Sequence, residues 1–279
     1  MELRSYGVWI PWQFLDEEEL PAAAAVAEEL GYGALWLGGS PRISQLRALL
    51  EGSERIVVAT SVVNVWGYDP GELAAEWARL EEEFPGRALA GIGVGHPEAT
   101  AEYAKPLTAV RELLDAVDAA PVPIPRERRA LAALGPKMLD LARERSLGSI
   151  PYFVSVEHTR FARERLGPGP LLAPEMACVV ETDREQGLHR ARRFAELYLG
   201  LTNYTNALIR HGGFTEQDIA GGGSEALIDA VVPQGSAEQV AAVARAHRAA
   251  GADHVVLQAV AGRGIPRREW TSLALALFG

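Results

Sequence analysis

The chain has 279 residues, 48% of them hydrophobic and 23% charged, the composition of a globular protein long enough for one barrel-sized domain. Its formal net charge of −10 works against nucleic acid and anionic lipid as partners. No apolar run approaches the roughly 20 residues that a bilayer crossing requires. The opening residues Met1-Glu2-Leu3-Arg4 lead straight into a strand pattern rather than a leader, so a cytoplasmic protein is expected. The single Cys178 forms no internal disulfide and, within Met176-Ala177-Cys178-Val179-Val180, reads as a small buried hydrophobe.

Strand-like runs alternate with amphipathic helical segments along the chain, the pattern of a parallel sheet with helical crossovers. The first strand is expected at about Ser5 to Ile10 and the first helix from Glu17 to Leu30. There Leu20, Ala23, Ala24, Ala27 and Leu30 recur at helical spacing and Gly31 is a stop. The second strand, Ala34 to Leu37, precedes a short helix from Ile43 to Leu50. The third, Ile56 to Thr60, precedes a helix from Gly71 to Phe84 closed by Pro85-Gly86, and the fourth is Ala88 to Ile92. A helix from Leu107 to Ala119 then leads into a stiff extended connection carrying Pro121, Pro123 and Pro125. The fifth strand is Ala130 to Leu134 with a helix from Lys137 to Ser146. The sixth is Ile150 to Val154 with a helix from Glu157 to Leu166, and the seventh is Leu171 to Val180 with a helix from Asp183 to about Leu199. A further helix, Ala237 to Ala250, precedes the eighth strand at Asp253 to Gln258.

Eight strand-helix units make an α/β fold of the (β/α)8 TIM-barrel type, expected as a single domain over residues 1–279. Between the seventh and eighth strands lies an insertion, about residues 201–232. It is either a lid over the barrel mouth or an element packed on the side or at a subunit contact. Two arginine clusters, Arg126, Arg128 and Arg129, and Arg190, Arg192 and Arg193, are either solvated surface or partners for an anionic cofactor tail.

Ligands of parallel α/β folds bind at the carboxyl ends of the strands, which directs attention to three run ends. These are Thr60-Ser61-Val62-Val63-Asn64 with Asp69-Pro70 beyond it, Gly91-Ile92-Gly93-Val94-Gly95-His96, and Leu134-Gly135-Pro136-Lys137. With Phe84-Pro85-Gly86-Arg87 they resemble the luciferase-like superfamily, most closely its deazaflavin (coenzyme F420)-dependent oxidoreductases. Leu131-Ala132-Ala133-Leu134-Gly135-Pro136-Lys137-Met138-Leu139, Pro151-Tyr152, Glu157-His158-Thr159 and Gly251-Ala252-Asp253-His254-Val255 are similar to an actinobacterial-type subfamily.

The resemblance implies a barrel mouth that holds a deazaflavin or flavin ring, and a homodimer. It implies a non-proline cis peptide between Ser61 and Val62 as a backstop to the ring, the alternative being a trans turn that Ser61 caps. It assigns Asn64 to a hydrogen bond with the ring, or else to the turn before Asp69-Pro70. Gly93 and Gly95 either let the chain pass close to a flat ring or serve barrel packing. Leu134, Gly135, Lys137 and Met138, at a helix start, match positions that contact the cofactor's phosphate or ribityl chain, and Tyr152 matches a tail contact. His96 matches the position where alcohol-oxidising relatives carry an acid. An imidazole can exchange a proton near neutral pH, so His96 is the catalytic candidate, with holding the cofactor as its other role.

None of the other histidines has metal-ligand spacing with a partner, so no metal is expected. Trp9, Trp12 and Trp66 either line an apolar substrate pocket or fill the core. One departure from the family stands out. Where sugar- and alcohol-oxidising relatives present acid and imidazole groups after the second strand, this chain reads Leu37-Gly38-Gly39-Ser40. The loop after His96 is also shorter than in close relatives, and the basic residues that grip a sugar phosphate have no counterparts. The leading expectation is hydride transfer between coenzyme F420 and a small organic substrate. An FMN-dependent monooxygenase and a non-catalytic cofactor-binding member are the alternatives.

Overall fold

The computed structural model describes residues 3–99 and 103–279. Residues 1–2, at the start of the chain, and 100–102, in the loop after His96, lie outside the described residues. In chain order the elements are β1 (Tyr6–Pro11), α1 (Glu19–Glu29), β2 (Ala34–Gly38), α2 (Leu46–Glu51), β3 (Val57–Ser61), β4 (Val63–Asn64), α3 (Pro70–Glu83) and β5 (Ala88–Gly93). There follow α4 (Pro106–Asp118), β6 (Arg129–Leu131), α5 (Pro136–Arg145), β7 (Gly148–Ser149), α6 (Val156–Leu166), β8 (Leu171–Leu172), β9 (Glu175–Val180) and α7 (Arg184–Leu199). The chain continues through α8 (Thr202–His211), α9 (Glu216–Ile219), α10 (Glu225–Val231), β10 (Gln234–Gly235), α11 (Ala237–Ala249), β11 (Val255–Ala259) and α12 (Arg267–Phe278).

Neighbouring strands pair in parallel in the order β10-β9-β11-β1-β2-β3-β5-β6-β7-β8, with β4 also on β5. The two ends of this order meet in one stretch of chain, because β8 and β9 are separated only by Ala173 and Pro174. Ala173 N–H donates to Ser149 O on one side and Val256 N–H donates to Pro174 O on the other. The sheet therefore closes as an eight-stranded α/β barrel, the seventh strand being β8 and β9 together.

Two expected strands need correction. The sixth, expected at Ile150 to Val154, is instead β7 at Gly148–Ser149, and the following residues make only an isolated bridge between Tyr152 and Glu175. Pro151 has no amide to donate, and Phe153 adopts φ of 54°, outside the strand region. The seventh, expected as one run from Leu171 to Val180, breaks at Pro174 for the same lack of a donor.

Strand side chains alternate between two apolar layers. On β2, Ala34 and Trp36 point into the barrel with Ala59, Leu89, Ala130 and Val256, while Leu35 and Leu37 face the helices. The barrel interior is packed rather than open, since Trp36 is fully buried and its Nε1 donates to His254 Nε2 at 3.2 Å. Burial pushes the His254 imidazole down to about 4, so it is a neutral acceptor at the amino end of the barrel. Helix entries use short polar caps: Asp69 accepts from Glu72 N–H, Ser155 from His158 N–H and Asp183 from Gln186 N–H. Among the described residues no helix is long and apolar enough to cross a membrane.

Candidate active site

At the carboxyl ends of the strands lies a cavity of about 260 Å³. Its wall runs from Ser61 and Val62 after β3, through Gly93 to His96 after β5, to Ala132, Ala133 and Leu134 after β6. The Ser61–Val62 peptide bond is cis, as the resemblance implied. Val62 presses toward β5 so closely that a Cβ on Gly93 would stand 2.6 Å from Val62 Cγ2 and 3.1 Å from Ala132 Cβ. That stretch of wall is backbone and small side chains because nothing larger fits.

Opposing polar groups are few and specific. His96 Nδ1 lies 2.9 Å from Asn203 Oδ1, and the imidazole packs 5.0 Å from the Tyr204 ring. With the carboxamide oxygen as acceptor, Nδ1 is the donor, and Nε2 is the ring nitrogen left for other partners. Asn203 and Tyr204 come from α8, so the insertion supplies part of the mouth's wall. Its start is pinned by Glu98 Oε1, which accepts from Thr202 N–H at 3.0 Å and Thr202 Oγ1 at 2.6 Å. These hydrogen bonds hold the exposed Glu98 carboxyl below its usual range.

Glu175 enters the cavity from β9. Its side chain is buried, and Oε1 accepts from Ser61 Oγ at 2.5 Å. Burial pushes this carboxyl up to about 8 against a smaller downward pull from the Ser61 hydroxyl, so it is an acid in its neutral form at pH 7. Beside it stand Tyr152, Tyr198 and Tyr204, whose phenols burial holds above their ordinary range. Tyr152 OH donates to Gln258 Oε1 at 2.6 Å, and Tyr198 OH lies 3.1 Å from it.

Behind the wall, His158 Nε2 donates to Leu134 O at 2.9 Å and so fixes the turn after β6. Burial lowers His158 and His247 to about 4, and His247 Nδ1 meets Thr159 Oγ1 at 2.8 Å. Both are neutral structural groups.

A sequence model of the luciferase-like monooxygenase family matches residues 6–264. The chain belongs to that family. No curated protein sequence matches this luciferase-like chain. Among solved structures it is similar to an F420-dependent secondary alcohol dehydrogenase in complex with an F420-acetone adduct. That match has a TM-score of 0.77 at 13% identity, covering 99% of this chain and 98% of the other. The coenzyme F420-dependent tetrahydromethanopterin reductase from Methanopyrus kandleri matches at a TM-score of 0.74 and 16% identity, with 99% of each chain covered. The oxygenating constituent of 3,6-diketocamphane monooxygenase from Pseudomonas putida, in complex with FMN, matches at 0.70 and 14% identity, covering 98% and 97%.

The cavity fits the ring of such a cofactor. One side is small and flat, through Val62, Gly93, Gly95 and Ala132, and the Trp9 Nε1 donor is buried with no partner among the described residues. Ser61, Val62, Gly95, His96, Leu134 and Tyr152 are thus brought together around one space. Gly135, the N-cap of α5, has no side chain to cap with and open space around its Cβ position. Lys137 and Met138 lie on the first turn of α5 outside the cavity wall, Lys137 exposed and Met138 packed on the core. Asn64 also stands outside it: its Oδ1 accepts from Trp66 N–H at 3.1 Å, which is the turn role.

Sequence reasoning missed Glu175, Tyr198, Asn203 and Tyr204. The signal for Glu175 was a lone acid after Pro174 at the head of the apolar run Met176 to Val180. The other three sit on helices, where no local pattern marks a face that turns into the mouth.

Proposed function

We propose that this luciferase-like chain is an oxidoreductase that uses coenzyme F420 to deliver a hydride to a small organic substrate carrying a polarised double bond. The observation that carries the reading is His96, held through Nδ1 by Asn203 at the rim of a cavity that has glycine and alanine along one side. When bound, the deazaflavin supplies the hydride. Val62, Gly93 and Ala132 would hold the ring, and Leu134 with the uncapped amino end of α5, where Gly135, Lys137 and Met138 stand, would hold its phosphate-bearing chain. Protonated at Nε2, His96 gives its proton to the substrate atom that becomes negative, and Asn203 keeps the ring in register for that transfer. Likeness to two F420-dependent enzymes supports deazaflavin over flavin. The same reading takes the protein as a cytoplasmic homodimer, checked by light scattering in solution.

The test is a fluorescence titration of the purified protein with coenzyme F420 and, separately, with FMN. Micromolar or tighter binding of F420 with weaker FMN binding supports the reading. Preference for FMN transfers it to a monooxygenase, and binding of neither leaves a non-catalytic member of the family.

A further inference from the structure

A second cavity of about 770 Å³ adjoins the first and shares Trp9, Gly39 and Tyr198 with it. It lies between α7 and the chain that follows β11, with Phe14 from the loop after β1 closing one side. Along α7, His189, Arg190, Arg193, Phe194 and Leu197 recur on one face, so that cation and apolar surface alternate over the same opening.

The cations differ in how far they are committed. Arg190 is spent on structure: Nη2 donates to Val260 O at 2.6 Å, and Glu181 stands 3.9 Å from Nη1. Arg193 and His189 have no hydrogen bond or ion pair among the described residues. Among the described residues no carboxylate lines the cavity, in a chain whose net charge is −10. Most other arginines of the two sequence clusters are bound to backbone oxygens, as Arg126 is to Ser146, Arg128 to Gly86 and Arg192 to Gly223.

A further donor faces this space. Gln258 is only 7% exposed, and its Oε1 is taken by Tyr152 OH. Its Nε2 has no partner among the described residues, although the side chain lines this cavity. The amide nitrogen is thus free to donate to a polar ligand atom in the cavity. The remaining surface is apolar and includes Phe14 and Leu197, which are 39% and 64% exposed. Large apolar side chains that a protein leaves in solvent beside an unpaired guanidinium match a ligand of the same two-part character.

We propose that this lobe binds the substrate, and that the substrate is an amphipathic organic anion. Its carboxylate or phosphate sits on Arg193 and His189, its apolar body lies against Phe14, Phe194 and Leu197, and a polar atom nearer the shared wall accepts from Gln258 Nε2. The inference deepens the oxidoreductase reading by naming its substrate class, and its binding step stands apart from the cofactor. The anion could also be the cofactor's own tail, so the experiment separates the two.

Isothermal titration calorimetry with decanoate, decyl phosphate and decanol tests the lobe on the protein without cofactor, and the F420 titration is run in parallel on Arg193→Gln. Decanoate and decyl phosphate are expected to bind at least about fivefold more tightly than decanol, and R193Q to erase that preference while F420 affinity stays within twofold. Equal binding of acid and alcohol overturns the proposal, as does an R193Q variant that keeps the preference. A large loss of F420 affinity in R193Q overturns it too, by assigning the cation to the cofactor tail. Acid-selective binding in a protein that takes neither F420 nor FMN would leave the lobe standing and remove the oxidoreductase reading alone.

Discussion

Ser61 and Glu175, on the third and seventh strands of the barrel, meet across its mouth through a 2.5 Å hydrogen bond from the serine hydroxyl to Oε1. The bond ties the Val62 wall to the opposite side of the barrel. It also leaves a carboxyl group where water cannot solvate its charge.

Folding raises the Glu175 pKa from its ordinary 4.5 to about 8, so the folded state holds this proton more tightly than the unfolded state. The stability that follows is complete below pH 4.5 and is lost as pH rises through 8. A shift of this size corresponds to roughly 5 kcal/mol at most. Glu175→Gln keeps an acceptor for Ser61 and cannot ionise. Its urea midpoint should match wild type near pH 4.5 and exceed it progressively toward pH 9. A difference between the two proteins that does not change with pH would contradict the buried-acid account.

Replacement of His96 by Ala is expected to lower kcat by about 10²-fold or more, with a much smaller change in the F420 dissociation constant. Asn203→Leu, which releases Nδ1, should cost about tenfold in kcat. Single-turnover rates alongside cofactor titrations separate these effects. A variant set in which cofactor affinity falls as far as kcat would make His96 a cofactor ligand rather than a proton donor.

Gly93→Ala places a methyl 2.6 Å from Val62 Cγ2. Since Val62 can yield only into the cavity or by moving the wall, cofactor affinity should drop about tenfold, and Val62→Ala in the same chain should recover most of it. The comparison is a four-protein cycle of cofactor titrations. Additive losses would place Gly93 and Val62 out of each other's reach.

Asp118→Ala should destabilise the protein by about 2 kcal/mol, measured by urea unfolding. Arg129, 3% exposed, donates to Asp118 Oδ1 at 2.6 Å, and the substitution leaves that guanidinium with backbone carbonyls alone. The Arg129 bond also holds the Asp118 carboxyl below its usual range, so its contribution is present above the ordinary aspartate pKa and fades as pH falls through the folded value. The D118A penalty should therefore shrink in acid.

The barrel was legible because the alternation of β-branched runs and amphipathic helices is a local signal repeated many times. Boundaries failed where local chemistry and pairing disagree. Ile150 to Val154 is apolar enough for a strand, yet Pro151 and the left-handed Phe153 prevent one, and Pro174 divides what reads as a single run. At the site, the strand-end residues Ser61, Val62, Gly95, His96 and Leu134 were visible because they follow strands directly. Asn203 reaches His96 across 107 positions, and Glu175 reaches Ser61 across 114. Those partnerships exist only once the barrel closes. Asn64 carries the opposite lesson, since its carboxamide oxygen is taken two residues along the chain.

The glycine at the end of β2 is fitted to the side chain beside it. A Cβ on Gly38 would land inside the indole of Trp9, which lines both cavities and stacks 5.9 Å from Tyr152. A histidine or acid at position 38 is therefore barred while Trp9 stays, and shrinking Trp9 alone opens a void beside Tyr152. The two positions are therefore coupled, since the indole at position 9 occupies the space that any side chain at position 38 would need. A designer wishing to place a polar side chain at position 38 would have to change both positions at once.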